Sequence, residues 1–248
     1  MGADTRVRPR GSYGIDAPYL LAVPFLFVAF GVAQGLLTAS VWPFVGAAFV
    51  MVFSGFGFYA SQFGKFVVWN RLLDRLGLTG DEQILDLGCG SGAVLVMAAR
   101  RLGTGRAVGV DLWRKTDQAG NAADATRRNA AAAQVADRVE LHTADMTRLP
   151  FPDNSFDLVV SNVAIHNIKT RAGRDRAIDE AVRVLRPGGR LLVADLRATR
   201  QYRERLATLG MTDVRCSSLG WRMWWSGPWL ATYLVTAVKP HPPGGEEA

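Results

Sequence analysis

Asp86 stands two residues before an alternating glycine run, Gly88-Cys89-Gly90-Ser91-Gly92, which follows the apolar stretch Ile84-Leu85. Glycine lets a backbone turn tightly and approach a ligand closely, and a helix starting just beyond would aim its N-terminal N–H groups at that ligand. Taken alone the loop is ambiguous, because Gly88, Gly90 and Ala93 also satisfy the dinucleotide spacing G-x-G-x-x-G/A. Asp111 closes the next apolar run ~20 residues on, where a carboxylate can accept both hydroxyls of a ribose in either cofactor class. An aspartate ending an apolar strand needs some partner, so Asp111 is hard to explain as structure alone. Asp86 separates the two classes. A carboxylate beside the loop suits a cofactor that carries an ammonium group and suits a pyrophosphate poorly.

Other residues could move a proton or line a substrate site. His166 has the type for a general base, since the ordinary pKa of about 6.5 suits transfer near neutrality. A histidine opening a helix and bonded to backbone is the structural alternative. Asp117, in the polar stretch 113–121, is a second candidate and equally a helix cap. The segment Gly220–Trp229 concentrates Trp221, Trp224, Trp225 and Trp229. Such a cluster serves as hairpin packing, as an aromatic wall for an apolar substrate or as an interfacial anchor. Two cysteines and three scattered histidines give neither a disulfide framework nor a zinc site, and a reducing compartment fits best.

These residues need elements to position them. From Lys65 onward short apolar runs alternate with helical stretches, the pattern of a mostly parallel sheet covered by helices on both faces. Strands are expected at 83–87, 106–110, 139–143, 156–161 and 190–195, with two more at 213–217 and 233–239. Helices are expected at 93–102, with Val94, Met97, Ala98 and Leu102 as one buried stripe, at 121–136 with a cap at Asn121, and at 174–185. Pro187-Gly188-Gly189 then reads as the stop before the fifth strand. The segments 113–121, 162–167 and 220–229 fall where ligands bind in open α/β sheets, outside the strand C-termini.

The ordered set is more specific than the loop. It runs from Asp86–Gly92 to Asp111, then Thr143-Ala144-Asp145-Met146, then Asn154–Asn162 and Val184–Arg190. Over about 69–239 it resembles the class I S-adenosylmethionine (SAM)-dependent methyltransferases, particularly the ubiquinone-methylase-like group. The resemblance implies a Rossmann-like seven-stranded sheet, its last strand antiparallel and inserted beside the fifth. It implies that Gly88, Gly90 and Gly92 pass beneath the methionine part of SAM and that Asp86 faces its amino group. Asp111 would hold the ribose hydroxyls and Leu112 would pack on the adenine. Asp145 would accept from the adenine amino group, with the Met146 N–H at the ring, and Ser161 or Asn162 would line the methionine end through backbone groups. Read structurally, Asp86 fixes the loop and Asp145 is a turn residue. No metal is implied.

The rest of the chain is of another kind. Between Asp16 and Lys65 there is no charged residue, enough length for two membrane spans of ~20 residues each. The expected organisation is a poorly ordered 1–16, a transmembrane hairpin over 17–64 with spans at 17–38 and 43–63, a methyltransferase domain over 65–240 and a poorly ordered 241–248. Arg6, Arg8 and Arg10 precede the first span, and Lys65, Arg71 and Arg75 follow the second, so the positive-inside rule places both ends and the catalytic domain on the cytoplasmic side of the cell membrane. A domain held so close to a bilayer suggests a small, lipid-like or otherwise hydrophobic methyl acceptor. The competing readings are a non-catalytic SAM-binding membrane protein and an NAD-dependent Rossmann oxidoreductase. Nucleic acid is disfavoured: no Asn/Asp-Pro-Pro-Tyr motif follows the fourth strand, and the net charge of +7 is a modest basic excess.

Overall fold

A computed structural model describes residues 8–16, 19–114 and 122–242, the side chains of 19–23 excepted. The chain runs α1 (Tyr19–Thr38), α2 (Trp42–Tyr59), a π-helical turn (Ala60–Gly64), α3 (Lys65–Arg75), β1 (Gln83–Leu87), α4 (Ala93–Ala99), β2 (Arg106–Asp111), α5 (Ala123–Ala132), β3 (Val139–Thr143) and β4 (Phe156–Asn162). It continues α6 (Arg171–Val184), β5 (Leu185–Asp195), α7 (Thr199–Thr208), β6 (Thr212–Ser218) and β7 (Tyr233–Val238). The seven strands form one sheet in the order β3-β2-β1-β4-β5-β7-β6. The first five are parallel, and β7 runs antiparallel between β5 and β6.

Alternation along the strands divides the core in two. Ile84, Leu158 and Leu192 face α3 and α4, where they pack with Trp69, Leu73, Leu95 and Met97. Leu85, Leu87, Val159 and Leu191 face α6 and α7, against Ile178, Val182, Tyr202 and Leu206. The same period puts Asp86 on the α4 face with Ile84.

Four elements differ from their expected form. α4 has no single stripe: all of Ala93–Ala99 is buried, because α3 packs against it and Tyr13 joins the same core. α6 begins three residues early, at a cap in which Thr170 Oγ1 accepts the Gly173 N–H at 3.1 Å. α5 starts at Ala123 after Ala122, which gives no side-chain cap; Asn121 lies outside the described residues. β5 extends through Pro187-Gly188-Gly189, with a bulge that shifts its pairing from Phe156↔Leu185 to Leu158↔Arg190. Gly188 sits at φ +78 and donates to the Lys239 carbonyl at 2.7 Å, so the turn residues join the sheet edge instead of ending it.

α2, the π turn and α3 are one continuous helix, Trp42–Arg75, which is long and apolar enough to cross a membrane. The described apolar part of α1, Pro24–Thr38, is shorter. α1 folds back on α2 at glycines: a Cβ at Gly35 would strike the Phe44 ring and one at Gly31 the Pro43 carbonyl. Outward, Phe25, Leu37 and Trp42 are each about three-quarters exposed or more. The lower half of α2 is gripped by the tryptophan segment. Trp221 stacks on Tyr59 at 5.1 Å, Trp224 meets Phe56 edge-on at 5.6 Å, and Trp229 lies 4.7 Å from Phe53. Gly57 and Gly64 let the Trp225 and Arg222 carbonyls approach the helix backbone, where a Cβ would collide with them.

Residues 8–16, within the stretch expected to be poorly ordered, are held against the domain. The Asn129 side chain accepts from Ser12 N and donates to Ser12 O, both at 2.9 Å, and Ser91 Oγ donates to the Tyr13 carbonyl at 2.7 Å. Tyr13 itself is buried, edge-on to Phe66.

Candidate active site

The C-terminal ends of β1, β2, β4 and β5 open into a cavity of about 790 Å³. Asp86 forms part of its floor and is 2% exposed. Among the described residues its Oδ2 has no hydrogen-bond partner, while the nearby Leu95 N–H favours the charged form. Burial, reinforced by the charge of Asp111, pushes the Asp86 pKa up to about 7. A buried carboxylate left half satisfied costs free energy that a cationic ligand would return.

Gly88, Gly90 and Gly92 all have positive φ, +70, +51 and +81, a conformation that side chains disfavour. Gly88 and Gly90 line the cavity, whereas Gly92 turns away and caps α4, its Cα facing Thr126. Asp111 fixes this loop from the side: Oδ2 accepts the Gly90 N–H at 2.9 Å and Oδ1 the Trp113 N–H at 2.6 Å. Leu112, Asp145 and Met146 continue the wall beyond it. Asp145 also closes a local turn, with Oδ1 accepting the Thr147 N–H at 2.8 Å.

Of the two residues expected at the end of β4, Asn162 lines the cavity and Ser161 does not. Ser161 is buried and its hydroxyl donates to the Leu87 carbonyl at 2.9 Å, tying β4 to β1. Asn162 Oδ1 accepts from Trp69 Nε1 at 2.8 Å. Asp117 lies outside the described residues.

His166 lines the cavity from a short 3-10 turn, Ile165–Asn167. Its Nδ1 lies 2.6 Å from Asp195 Oδ1, close in distance although not in line for a hydrogen bond. The His166 backbone N–H donates to Asp195 Oδ2 at 3.1 Å, so the residue is held to the end of β5 through its main chain. Asp195 is fully buried at the end of β5 and also accepts from Tyr202 Oη at 3.1 Å and Leu196 N at 2.8 Å. Burial and this carboxylate push the Tyr202 phenol well above the ordinary tyrosine range. Sequence reasoning passed over Asp195, although its signal equals that of Asp111: an aspartate closing an apolar strand.

The opposite wall comes from the residues that flank the helical hairpin and from the tryptophan segment. Asp16, Lys65, Trp225 and Leu230 all line the cavity. Lys65 Nζ lies 2.6 Å from Asp16 Oδ2 with its side chain 2% exposed. Among the described residues no group of three His, Cys, Asp or Glu side chains could hold a metal ion.

The arrangement fits SAM on an observation of its own: a carboxylate short of a cation beside a glycine loop, with a second carboxylate at the end of β2. Comparison with known proteins agrees. Residues 85–193 match the family described as "Methyltransferase domain". The chain is 36% identical over 129 residues to a ubiquinone/menaquinone biosynthesis C-methyltransferase, UbiE, of Roseobacter denitrificans, covering 52% of this chain and 48% of that protein. It is 31% identical over 150 residues to sterol 4-C-methyltransferase strm-1 of Caenorhabditis elegans, covering 59% and 42% respectively. The chain thus spans about half the length of the curated relatives it matches. A SAM-dependent methyltransferase from Aquifex aeolicus shares the fold, with a TM-score of 0.54, 18% identity, and coverage of 68% of this chain and 88% of that one.

Proposed function

We propose that this chain is a SAM-dependent methyltransferase that acts on a small hydrophobic or lipid-like acceptor while held at a membrane by its helical hairpin. The observation that carries the cofactor is Asp86, whose buried oxygen, without a partner among the described residues, belongs to a residue lining the same cavity as Gly88 and Gly90. The NAD reading loses ground to the same carboxylate, which a pyrophosphate would repel, and to the antiparallel β7, absent from the dinucleotide sheet order.

Bound SAM supplies a methyl group on a sulfonium, open to in-line attack by a nucleophile of the acceptor. The chain's residues then have three tasks. Asp86, Asp111 and the glycine loop hold the cofactor. Trp225, Leu230, Leu196 and Ile168 give the acceptor side an apolar wall. His166 takes the acceptor proton where the nucleophile carries one, and Asp195 favours the imidazolium that forms. A reaction centre fixed in this way gains mainly from orientation.

Three features support the membrane reading: an uncharged stretch between Asp16 and Lys65, a continuous helix of spanning length, and a rim of exposed aromatic and aliphatic side chains. Exposed apolar patches of this kind mark membrane or protein contacts. The basic residues on either side favour both ends in the cytoplasm. Because Trp225 touches both the cavity and the helix that would enter the bilayer, an acceptor dissolved in lipid has a short path to His166. The test is transfer of labelled methyl from SAM into a membrane lipid extract by the detergent-purified chain. Label in the organic phase supports the reading; label only in water-soluble metabolites, or membranes stripped of the chain by carbonate, would remove the lipid assignment.

A further inference from the structure

We infer that Lys65 receives the methionine carboxylate of the cofactor and that Asp16 positions its ammonium for the task. The inference rests on the reading of the cavity as a SAM site.

The methionine end of SAM carries two charges. Asp86 answers the ammonium. A carboxylate drawn into the same recess needs a cation or a set of N–H donors, since a buried charge without a partner is costly. Four cations line the cavity: Lys65, Arg114, Lys169 and Arg197. Arg114 follows Asp111 and Leu112, on the ribose and adenine side. Lys169 and Arg197 are exposed residues beyond β4 and β5, out toward the acceptor. Only Lys65 is buried.

Its neighbours place it at the methionine corner. Lys65 lies one helical turn before Trp69 on α3, and residues four apart share a helix face. Trp69 reaches Asn162 at the end of β4, and β4 pairs there with the end of β1 through Leu87↔Ser161. From the other side, Asp16 closes the segment whose Tyr13 carbonyl accepts the Ser91 hydroxyl of the glycine loop. Lys65 is thus bracketed by the glycine loop and the end of β4, on either side of Asp86.

It also has capacity to spare. An ammonium has three hydrogens, and among the described residues Asp16 is the only hydrogen-bond partner of this one. A second cation lies close by: Arg8 Cζ is 4.8 Å from the centre of the Phe66 ring and Lys65 Nζ is 5.5 Å from it. The Asp16 carboxylate itself is fixed by Ser61 Oγ, which donates to Oδ2 at 3.1 Å. The π turn that carries Ser61 ends just before Lys65, and it brings both side chains to Asp16.

The test compares SAM with decarboxylated SAM, which keeps the sulfonium and the ammonium and lacks only the carboxylate. Calorimetric titration uses the full chain in detergent. Wild type should bind SAM about 10- to 100-fold more tightly than the decarboxylated form, the range expected for hydrogen bonds to a charged group. Lys65→Met should bring the two affinities within about threefold of each other by the same reasoning, and Lys65→Arg should restore most of the preference. A wild type that does not discriminate overturns the inference without reference to any variant. So does a folded Lys65→Met that keeps the full preference, which would leave Lys65 and Asp16 as a structural staple. Failure of wild type to bind either compound is a different result and rejects the SAM site itself.

Discussion

Asp16 and Lys65, the charged residues that bracket an uncharged stretch of the chain, meet each other at 2.6 Å. The chain leaves the catalytic domain at one side chain and returns at its counter-ion, so the hairpin is an excursion closed at its base. The pair also belongs to the cavity wall, which makes the base of the hairpin part of the site. Removing the carboxylate should matter more than its exposure suggests, because it strands an ammonium that is almost wholly buried. Asp16→Ala is expected to destabilise the protein by about 3 kcal/mol, the low end for breaking a buried pair. Lys65→Met should cost less, since the partly exposed Asp16 can be hydrated. Thermal melting of the two variants in one detergent gives the order, and equal losses would show that the pair is exposed in solution.

The glycines of the long helix offer a test of the tryptophan bracket. Gly64 has ordinary helical φ, so alanine there would usually stabilise. Its position is instead pressed by the Arg222 carbonyl. Gly64→Ala should therefore destabilise by about 2 kcal/mol through overpacking, whereas Gly46→Ala, with open space around it, should be neutral or better. Equal melting temperatures for the two would mean that residues 221–229 do not grip the helix as described.

Asp86 sets a pH dependence. Its pKa in the ligand-free protein is raised from 3.8 to about 7, so the folded chain holds a proton there that the unfolded chain has lost. Between those values the ligand-free protein loses stability as pH rises, since the folded state binds more protons. Cofactor binding has the opposite sign. The ammonium of SAM requires the ionised carboxylate, so affinity should rise by up to about tenfold per pH unit from about pH 5.5 to 7. Titration near pH 6 in buffers of different ionisation enthalpy should show proton release on binding. Asp86→Asn should bind weakly at every pH, with that slope gone.

His166 and Asp195 should separate chemistry from binding. His166→Ala is expected to lower turnover by about 100-fold, within the range for general-base catalysis, while SAM affinity stays the same. Asp195→Asn should retain part of that turnover and shift the acid limb of the pH–rate profile, a change that loss of packing alone would not produce. Unaltered turnover in His166→Ala would leave the histidine as a helix-start residue bonded to Asp195.

Much of the sheet was legible because its strands are short apolar runs bounded by turns. Gln83–Leu87 and Val139–Thr143 stand where the pattern placed them, and β7 lies antiparallel beside β5 as the resemblance implied. What escaped depends on partners far away in sequence. Residues 8–16 look like a polar leader, yet Asn129, Ser91 and Ser61 tie them down across the fold. Lys65 reads as a flanking positive charge until Asp16 is seen beside it. Ser161 and Gly92 belong to motifs expected to meet the cofactor, but strand and helix geometry turn them from the cavity to Leu87 and Thr126. Local pattern identifies the element, and only tertiary placement decides which of its side chains reach the site.

The central claim is that the cavity binds SAM. Calorimetric titration of SAM into the detergent-purified full chain, with Asp111→Ala alongside, tests it most directly. The account predicts saturable binding in the micromolar range for wild type and its loss in the variant. A well-folded wild type that binds no SAM would contradict it.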